Sequence, residues 1–241
     1  MSIFFEEIDY QPTPIGPISL RRRHDFRLKT DVLEIVLGDE FLMSDLFTTS
    51  EIALATLGLA YHREQAGGKR QLDVVVGGLG LGYTAEAVLQ DSSVSSLRVI
   101  EALQAIIDWH QTGLLPLGNT LCADPRCQFV CGDFFTCARA EVGFDATQPK
   151  RRFDAILVDI DHSPNFHLAP ENASFYSVKG FSGLKTQLAK NGVFGLWSND
   201  PPDDNFTELL RTVFGHANAN RVIFANPYQN IDVTQTIYLA R

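Results

Sequence analysis

From residue 72 onward, short apolar and β-branched runs alternate with longer stretches of helical spacing. The runs at 72–77, 97–101, 127–131, 153–158, 192–197, 220–225 and 234–240 read as strands. The stretches near 83–91, 102–112, 173–190 and 203–215 read as helices. Strands alternating with helices predict an α/β fold with a doubly wound, mostly parallel sheet. The last two strands are joined by "NPYQNIDV", too short for a crossover helix. They are therefore expected to pair antiparallel.

The first part of the chain has a different texture. "YQPTPIGPISLRRR" holds three prolines and a glycine before a basic run, and "DVLEIVLGDEFLMS" alternates apolar and polar positions. Both read as extended. "SEIALATLGLAYHRE" has helical spacing, with Ser50 placed to cap it. The expected division is a small β-rich N-terminal part at 1–60 and a larger domain at 61–241. The run Arg21, Arg22 and Arg23 reads as a solvated strand face, with a phosphate or partner site as the alternative.

Composition narrows the function classes. At 241 residues the chain suits one α/β domain with a small appendage. Hydrophobic residues make up 45%, enough for a sizeable core. A net charge of -9 disfavours nucleic acid and anionic lipid and suits a neutral or cationic small molecule. "MSIFFEEIDY" lacks the basic start of a signal peptide, and no apolar run reaches the ~18 residues of a membrane span. A cytoplasmic location is expected. Cys122, Cys127, Cys131 and Cys137 form no C-x-x-C pair, so no metal is expected.

In doubly wound sheets ligands bind beyond the carboxyl ends of the strands. The first exit is "GGLGLGYT". The dinucleotide pattern G-x-G-x-x-G fails because Tyr83 stands where its third glycine would be. Gly78, Gly80 and Gly82 instead form G-x-G-x-G, the form of enzymes that bind an adenosyl sulfonium. Packing of strand against helix is the alternative use of these glycines. Glu101 ends the second strand roughly 20 residues on, where an acid can accept both hydroxyls of a ribose. Asp133 leaves the third strand, placed to accept an exocyclic adenine amine or to cap a helix, and Phe134 offers a ring face. Asp159 and Asp161 leave the fourth strand, with His162 and His167 just beyond. Acids there can hold and orient an amine for attack, and a turn-forming role is the alternative for Asp161.

Taken in order, the glycine loop with "TAEAVL", Glu101, "DPRCQFVCGDFF", "FDAILVDID" and "SFYSVKGFSGLKTQLAKNGVFGLW" resemble the spermidine synthase (polyamine aminopropyltransferase) family. "LGDEFLMSDLFTTSE" is similar to that family's N-terminal hairpin domain. The resemblance implies a Rossmann-like sheet with the last strand antiparallel, decarboxylated S-adenosylmethionine (AdoMet) as donor, an amine acceptor and a homo-oligomer such as a dimer. Gly78, Gly80 and Gly82 would line the donor, Glu101 the ribose and Asp133 the adenine. Asp159 would be the reaction-centre aspartate.

The departures from the family are as specific as the matches. Leu81 stands where the family's loop carries an aspartate beside the donor's amine. His162 stands where it has a second aspartate, Asp161 being one position short. Met43 falls near its N-terminal glutamine, and "GLWSND" lacks another. With Leu81 uncharged, the carboxylate of intact AdoMet would not be repelled. The expectation is therefore a transferase using AdoMet or its decarboxylated form, leaning to methyl transfer onto a small amine, with His162 as a candidate base. Aminopropyl transfer is the alternative, and a non-catalytic nucleoside-binding dimer is a third reading. "SNDPPDD" resembles the motif of amino-methylating DNA enzymes, but it follows the fifth strand and has Asp203 in place of the aromatic. It reads as a loop and helix start.

Overall fold

Period-two burial builds the first sheet. The computed structural model describes residues 4–66 and 71–241. Its N-terminal strands β1 (Phe5–Gln11), β2 (Ile18–Asp25), β3 (Thr30–Leu37) and β4 (Glu40–Ser44) form an antiparallel sheet in chain order. Ile18 and Leu20 on β2 face the core with Leu33, Ile35 and Leu37 on β3. The arginine run lies on β2 and is consumed by acids of its own sheet. Arg22 pairs Glu6 at 2.8 Å, and Arg23 pairs Glu34 at 2.6 Å and Asp25 at 2.8 Å. It is a strand face, as its simpler reading held.

Helix α1 (Thr49–Ala66) leaves this sheet and packs on the second one, against strands near its middle and far edge. Ser50 is not its cap. The helix has already begun at Thr49, and the Ser50 hydroxyl donates to the neighbouring Glu51 carboxylate at 2.9 Å.

The second sheet follows the predicted alternation. Its elements are β5 (Leu72–Gly77), α2 (Tyr83–Leu89), β6 (Val94–Glu101), α3 (Gln104–Gln111), α4 (Gly118–Ala123) and β7 (Cys127–Cys131). Then come α5 (Phe134–Arg139), β8 (Phe153–Val158), α6 (Val178–Lys185), β9 (Leu188–Ser198), α7 (Asp204–Phe214), β10 (Ala217–Asn226) and β11 (Ile231–Ala240). The strand order among the described residues is β10-β11-β9-β8-β5-β6-β7. Strands β5 to β9 run parallel, and β11 is antiparallel to both β9 and β10. The chain therefore reverses its winding between β5 and β8, where such sheets leave a crevice. Val74, Val75 and Val76 on β5 and the whole of β8 are buried, because helices cover both faces.

The predicted helix at 173–190 is corrected. A 3-10 turn at Pro170–Ser174 precedes α6, which begins where the Ser177 hydroxyl accepts from Gly180 N at 3.1 Å. It ends because pairing with β8 claims the next residues: Phe153 N donates to Gln187 O at 2.9 Å, and Leu188 already sits opposite Phe153. "SNDPPDD" opens α7 as read, although the prolines precede the helix and Asp203 caps it, accepting from Asn205 N at 2.8 Å.

Long-range bonds fasten the small sheet to the large domain, two of them short. Trp109 Nε1 on α3 donates to Asp9 on β1, and the Tyr228 hydroxyl in the β10–β11 turn donates to Asp25 on β2, each at 2.5 Å.

Candidate active site

A cavity of about 500 Å³ lies at the carboxyl ends of the strands, with the small sheet closing one side. Gly78, Gly80 and Gly82 turn the chain from β5 into α2 with φ of +91°, +47° and +97°. A Cβ on Gly78 would lie 2.0 Å from the Asp159 carbonyl oxygen, so only glycine lets the loop pass this close to the end of β8. Gly80 faces the cavity, and a Cβ there would meet the sulfur of Met43 at 2.4 Å. Gly82 lies off the cavity wall and packs towards His110 and Leu121.

Leu81 is a correction. Its side chain is 2% exposed, belongs to the core and does not line the cavity. The positive φ of the flanking glycines turns it inward, while its N–H meets Met43 Sδ at 3.2 Å. The loop positions on the cavity wall are Gly78, Leu79 and Gly80, so Leu81 neither presents nor withholds a charge there.

Glu101 stands on the cavity wall at the end of β6. Its carboxylate accepts from Leu79 N and from Leu103 N, each at 2.9 Å, so it braces the glycine loop. Burial raises its pKa, offset in part by these backbone N–H groups. Backbone N–H groups of Gly80 and Ala102 act on it in the same direction. Asp133 takes the capping alternative: Oδ1 caps α5 by accepting from Thr136 N, and the residue also lines the cavity. Phe134 also contributes to the wall but is 2% exposed. Its ring is held against Phe144 at 5.0 Å and beneath Gly77, where an added Cβ would strike it at 2.5 Å. It is a floor under the loop more than a free stacking face.

The fourth exit holds the carboxylates of greatest chemical interest. Asp159 Oδ2 accepts from the Thr84 hydroxyl of α2 at 2.7 Å. Burial pushes its pKa up to about 6, with that hydroxyl pulling the other way. Across from it on α1 is Glu51, 8% exposed and also on the cavity wall. Burial, and then the charge of Asp159, push Glu51 up to about 8. Burial and like charge together disfavour ionising both acids at once, so near neutrality one of the two stays protonated.

Asp161 is placed elsewhere. It is 1% exposed, lies off the cavity wall and accepts from Leu168 N at 2.7 Å, Asn172 Nδ2 at 2.9 Å and the Tyr176 hydroxyl at 2.9 Å. It organises the segment after β8, the turn-forming alternative. His162 does line the cavity, stacked on Phe166 and bonded through Nε2 to Glu40 of β4 at 2.9 Å. His167 stacks on Tyr176 and donates to Pro164 O at 2.8 Å.

The sequence reading missed Glu51 and Thr84. Glu51 looked like a first-turn acid at a helix start, and Thr84 like a helix residue after the loop. Only the docking of α1 on α2 brings both to Asp159. It also missed Trp197, Asn199 and Gln235, which close the far side from β9 and β11. Among the described residues the cavity wall carries the acids Glu51, Glu101, Asp133 and Asp159 and no lysine or arginine. No helix is long and apolar enough to cross a membrane, and no metal-ligating cluster of three or more side chains occurs, among the described residues.

No family model matches the chain, and no curated protein does. Solved structures do match. A spermidine synthase in complex with the transition-state analogue AdoDATO superposes with a TM-score of 0.72 at 18% identity, over 97% of this chain and 73% of that one. The spermidine synthase of Thermotoga maritima gives 0.69 at 17%, over 97% and 72%. Human methyltransferase-like protein 13, in complex with SAH, gives 0.58 at 18%, over 80% and 82%. The fold is thus spermidine synthase-like over almost the whole chain, small N-terminal sheet included.

Proposed function

We propose that the chain is a transferase that moves a carbon group from an AdoMet-type donor to an amine. The observation that carries this reading is the Asp159–Glu51 carboxylate pair beside the glycine loop, in a cavity whose described wall has no lysine or arginine. A wall with four acids and no lysine or arginine suits two cationic reactants, a sulfonium and an ammonium.

The residues present fit an adenosyl donor. Gly78 and Gly80 line the cavity without side chains, Glu101 stands on its wall at the end of β6 for a ribose, and Asp133 retains Oδ2 for an adenine amine. When bound, the donor supplies an electrophilic carbon and a thioether leaving group. Asp159, steadied by Thr84, receives the proton of the acceptor ammonium and aims the freed lone pair. Its raised pKa suits a base working near neutrality. Glu51, held protonated beside it, leaves Asp159 as the carboxylate that bears the charge.

For the group moved, the lining favours aminopropyl transfer from decarboxylated AdoMet. Intact AdoMet brings a carboxylate, and the described wall offers it no lysine or arginine. Of the two sequence arguments for methyl transfer, the one from Leu81 falls because Leu81 lies in the core, and the one from His162 in place of a second aspartate stands. Methyl transfer has one further support: Gly80 and Met43 put no acid beside the donor's tail. Calorimetric titration with AdoMet, decarboxylated AdoMet and methylthioadenosine is the test. Tighter binding of the decarboxylated donor is expected. Preference for intact AdoMet returns the reading to methyl transfer, and failure of all three adenosyl ligands overturns the proposal.

A further inference from the structure

Resting on the amine-transferase reading, the inner wall says which amine is wanted. The part of the wall lent by the small sheet and the segment after it is apolar, with Leu37, Phe41, Leu42 and Phe47. A diamine lying along it would need a second anion. Glu40, next to Phe41 on β4, is off the wall and bonded to His162. What the wall contains instead is a neutral donor and a neutral acceptor, each without a partner. Trp197 Nε1 on β9 and Gln235 Oε1 on β11 are both shielded from solvent and make no hydrogen bond. Gln235 is 9% exposed, and its Nε2 is anchored on Asn199 Oδ1 at 2.9 Å, which leaves its carbonyl oxygen as the unsatisfied atom.

The strand register puts the two side by side. Trp197 sits opposite Ile237, so Gln235, two residues along β11, is its diagonal neighbour on the same face of the sheet. Both side chains line the cavity. Leaving either polar atom unsatisfied in a buried setting is unfavourable, and an amide on the ligand satisfies both: its carbonyl accepts from the indole N–H, and its N–H donates to the glutamine oxygen.

We infer that the acceptor is a mono-N-acylated diamine or a similar amino-amide, with a free amine at Asp159 and a neutral amide at the Trp197–Gln235 pair. The test saturates the full chain with methylthioadenosine and titrates it with diaminobutane, mono-N-acetyldiaminobutane and butylamine. The acetyl compound is expected to bind at least about tenfold tighter than either of the others, the factor for one buried polar atom left unpaired. Trp197→Phe and Gln235→Leu should each erase that advantage. Gln235→Glu, which places an anion at the same point, should turn the preference towards diaminobutane. Unchanged affinity for methylthioadenosine shows that each variant has folded. A wild-type preference for diaminobutane, equal affinity for all three amines, or no amine binding to the nucleoside-loaded chain overturns the inference. Failure to bind methylthioadenosine overturns the transferase reading beneath it, and is told apart because it is measured first.

Discussion

Placing an aspartate at Leu81 and placing one at Gly80 should give opposite outcomes, although the positions are adjacent. Leu81 is 2% exposed within the core. Truncating such a leucine costs about 2–5 kcal/mol through lost burial and the cavity left behind. Near 3 kcal/mol, Leu81→Ala should lower Tm by about 6–12 °C for a chain of this size. Leu81→Asp adds the burial of an unpaired charge and should leave little folded protein at ambient temperature. Gly80 faces the cavity at φ +47°, a region that aspartate tolerates better than most residues. Its new Cβ meets only the sulfur end of the flexible Met43 side chain. Gly80→Asp should therefore fold, at a cost of about 1–2 kcal/mol, and present a carboxylate to the donor's tail. Its affinity ratio for decarboxylated over intact AdoMet should rise about tenfold or more, the size of one charge-assisted hydrogen bond. Thermal denaturation followed by calorimetry reads both effects. A folded Leu81→Asp variant with altered donor preference, beside a Gly80→Asp variant with none, would refute the placement of these side chains.

Stability should fall as pH rises, and Glu51 should account for much of the fall. Burial and then the Asp159 charge hold its pKa up to about 8 in the fold, against an ordinary 4.5, so the folded chain binds that proton more tightly than the unfolded one. The fold is favoured most below 4.5 and loses this contribution up to about pH 8, on the order of 5 kcal/mol at most. Urea titrations should show Glu51→Gln gaining on the wild type across that window, and parallel profiles would count against the carboxylate pair. Gly78→Ala combines φ +91° with a Cβ 2.0 Å from the Asp159 carbonyl oxygen, so methylthioadenosine binding should be lost along with several degrees of Tm. Asp161→Asn should cost about 1–3 kcal/mol in denaturant melts through its three bonds, while nucleoside affinity stays within about twofold; a large affinity loss would place Asp161 in the site.

The architecture was legible because its signals are local. Buried parallel strands give continuous apolar runs such as "VVV" and "AILV", and the short β10–β11 link allows only antiparallel pairing. The glycine loop, Glu101, Asp133 and Asp159 were found because strand exits in this topology converge. Leu81 was misread because its direction depends on the φ of two flanking glycines, which the letters do not specify. Asp159 and Asp161 look alike in sequence, two positions apart, yet the first follows a strand onto the cavity wall while the second anchors the following turn. Glu51 and Gln235 come from distant parts of the chain, and only the packing of α1 and the register of β11 bring them to the wall. The overlong helix at 173–190 shows pairing with a neighbouring strand overriding local helical spacing.

The bond between Asp25 and Tyr228 closes a loop of 203 residues. The small sheet precedes the β10–β11 turn in the chain, so its fastening to that turn waits until the whole of the large sheet between them has been made. Contacts of such separation close late, because the ordering of the intervening chain must come first. The wall that the small sheet lends to the cavity therefore gains its Tyr228 fastening after the glycine loop has been made, while the Trp109–Asp9 bond, with its partners closer in sequence, does not wait for that turn.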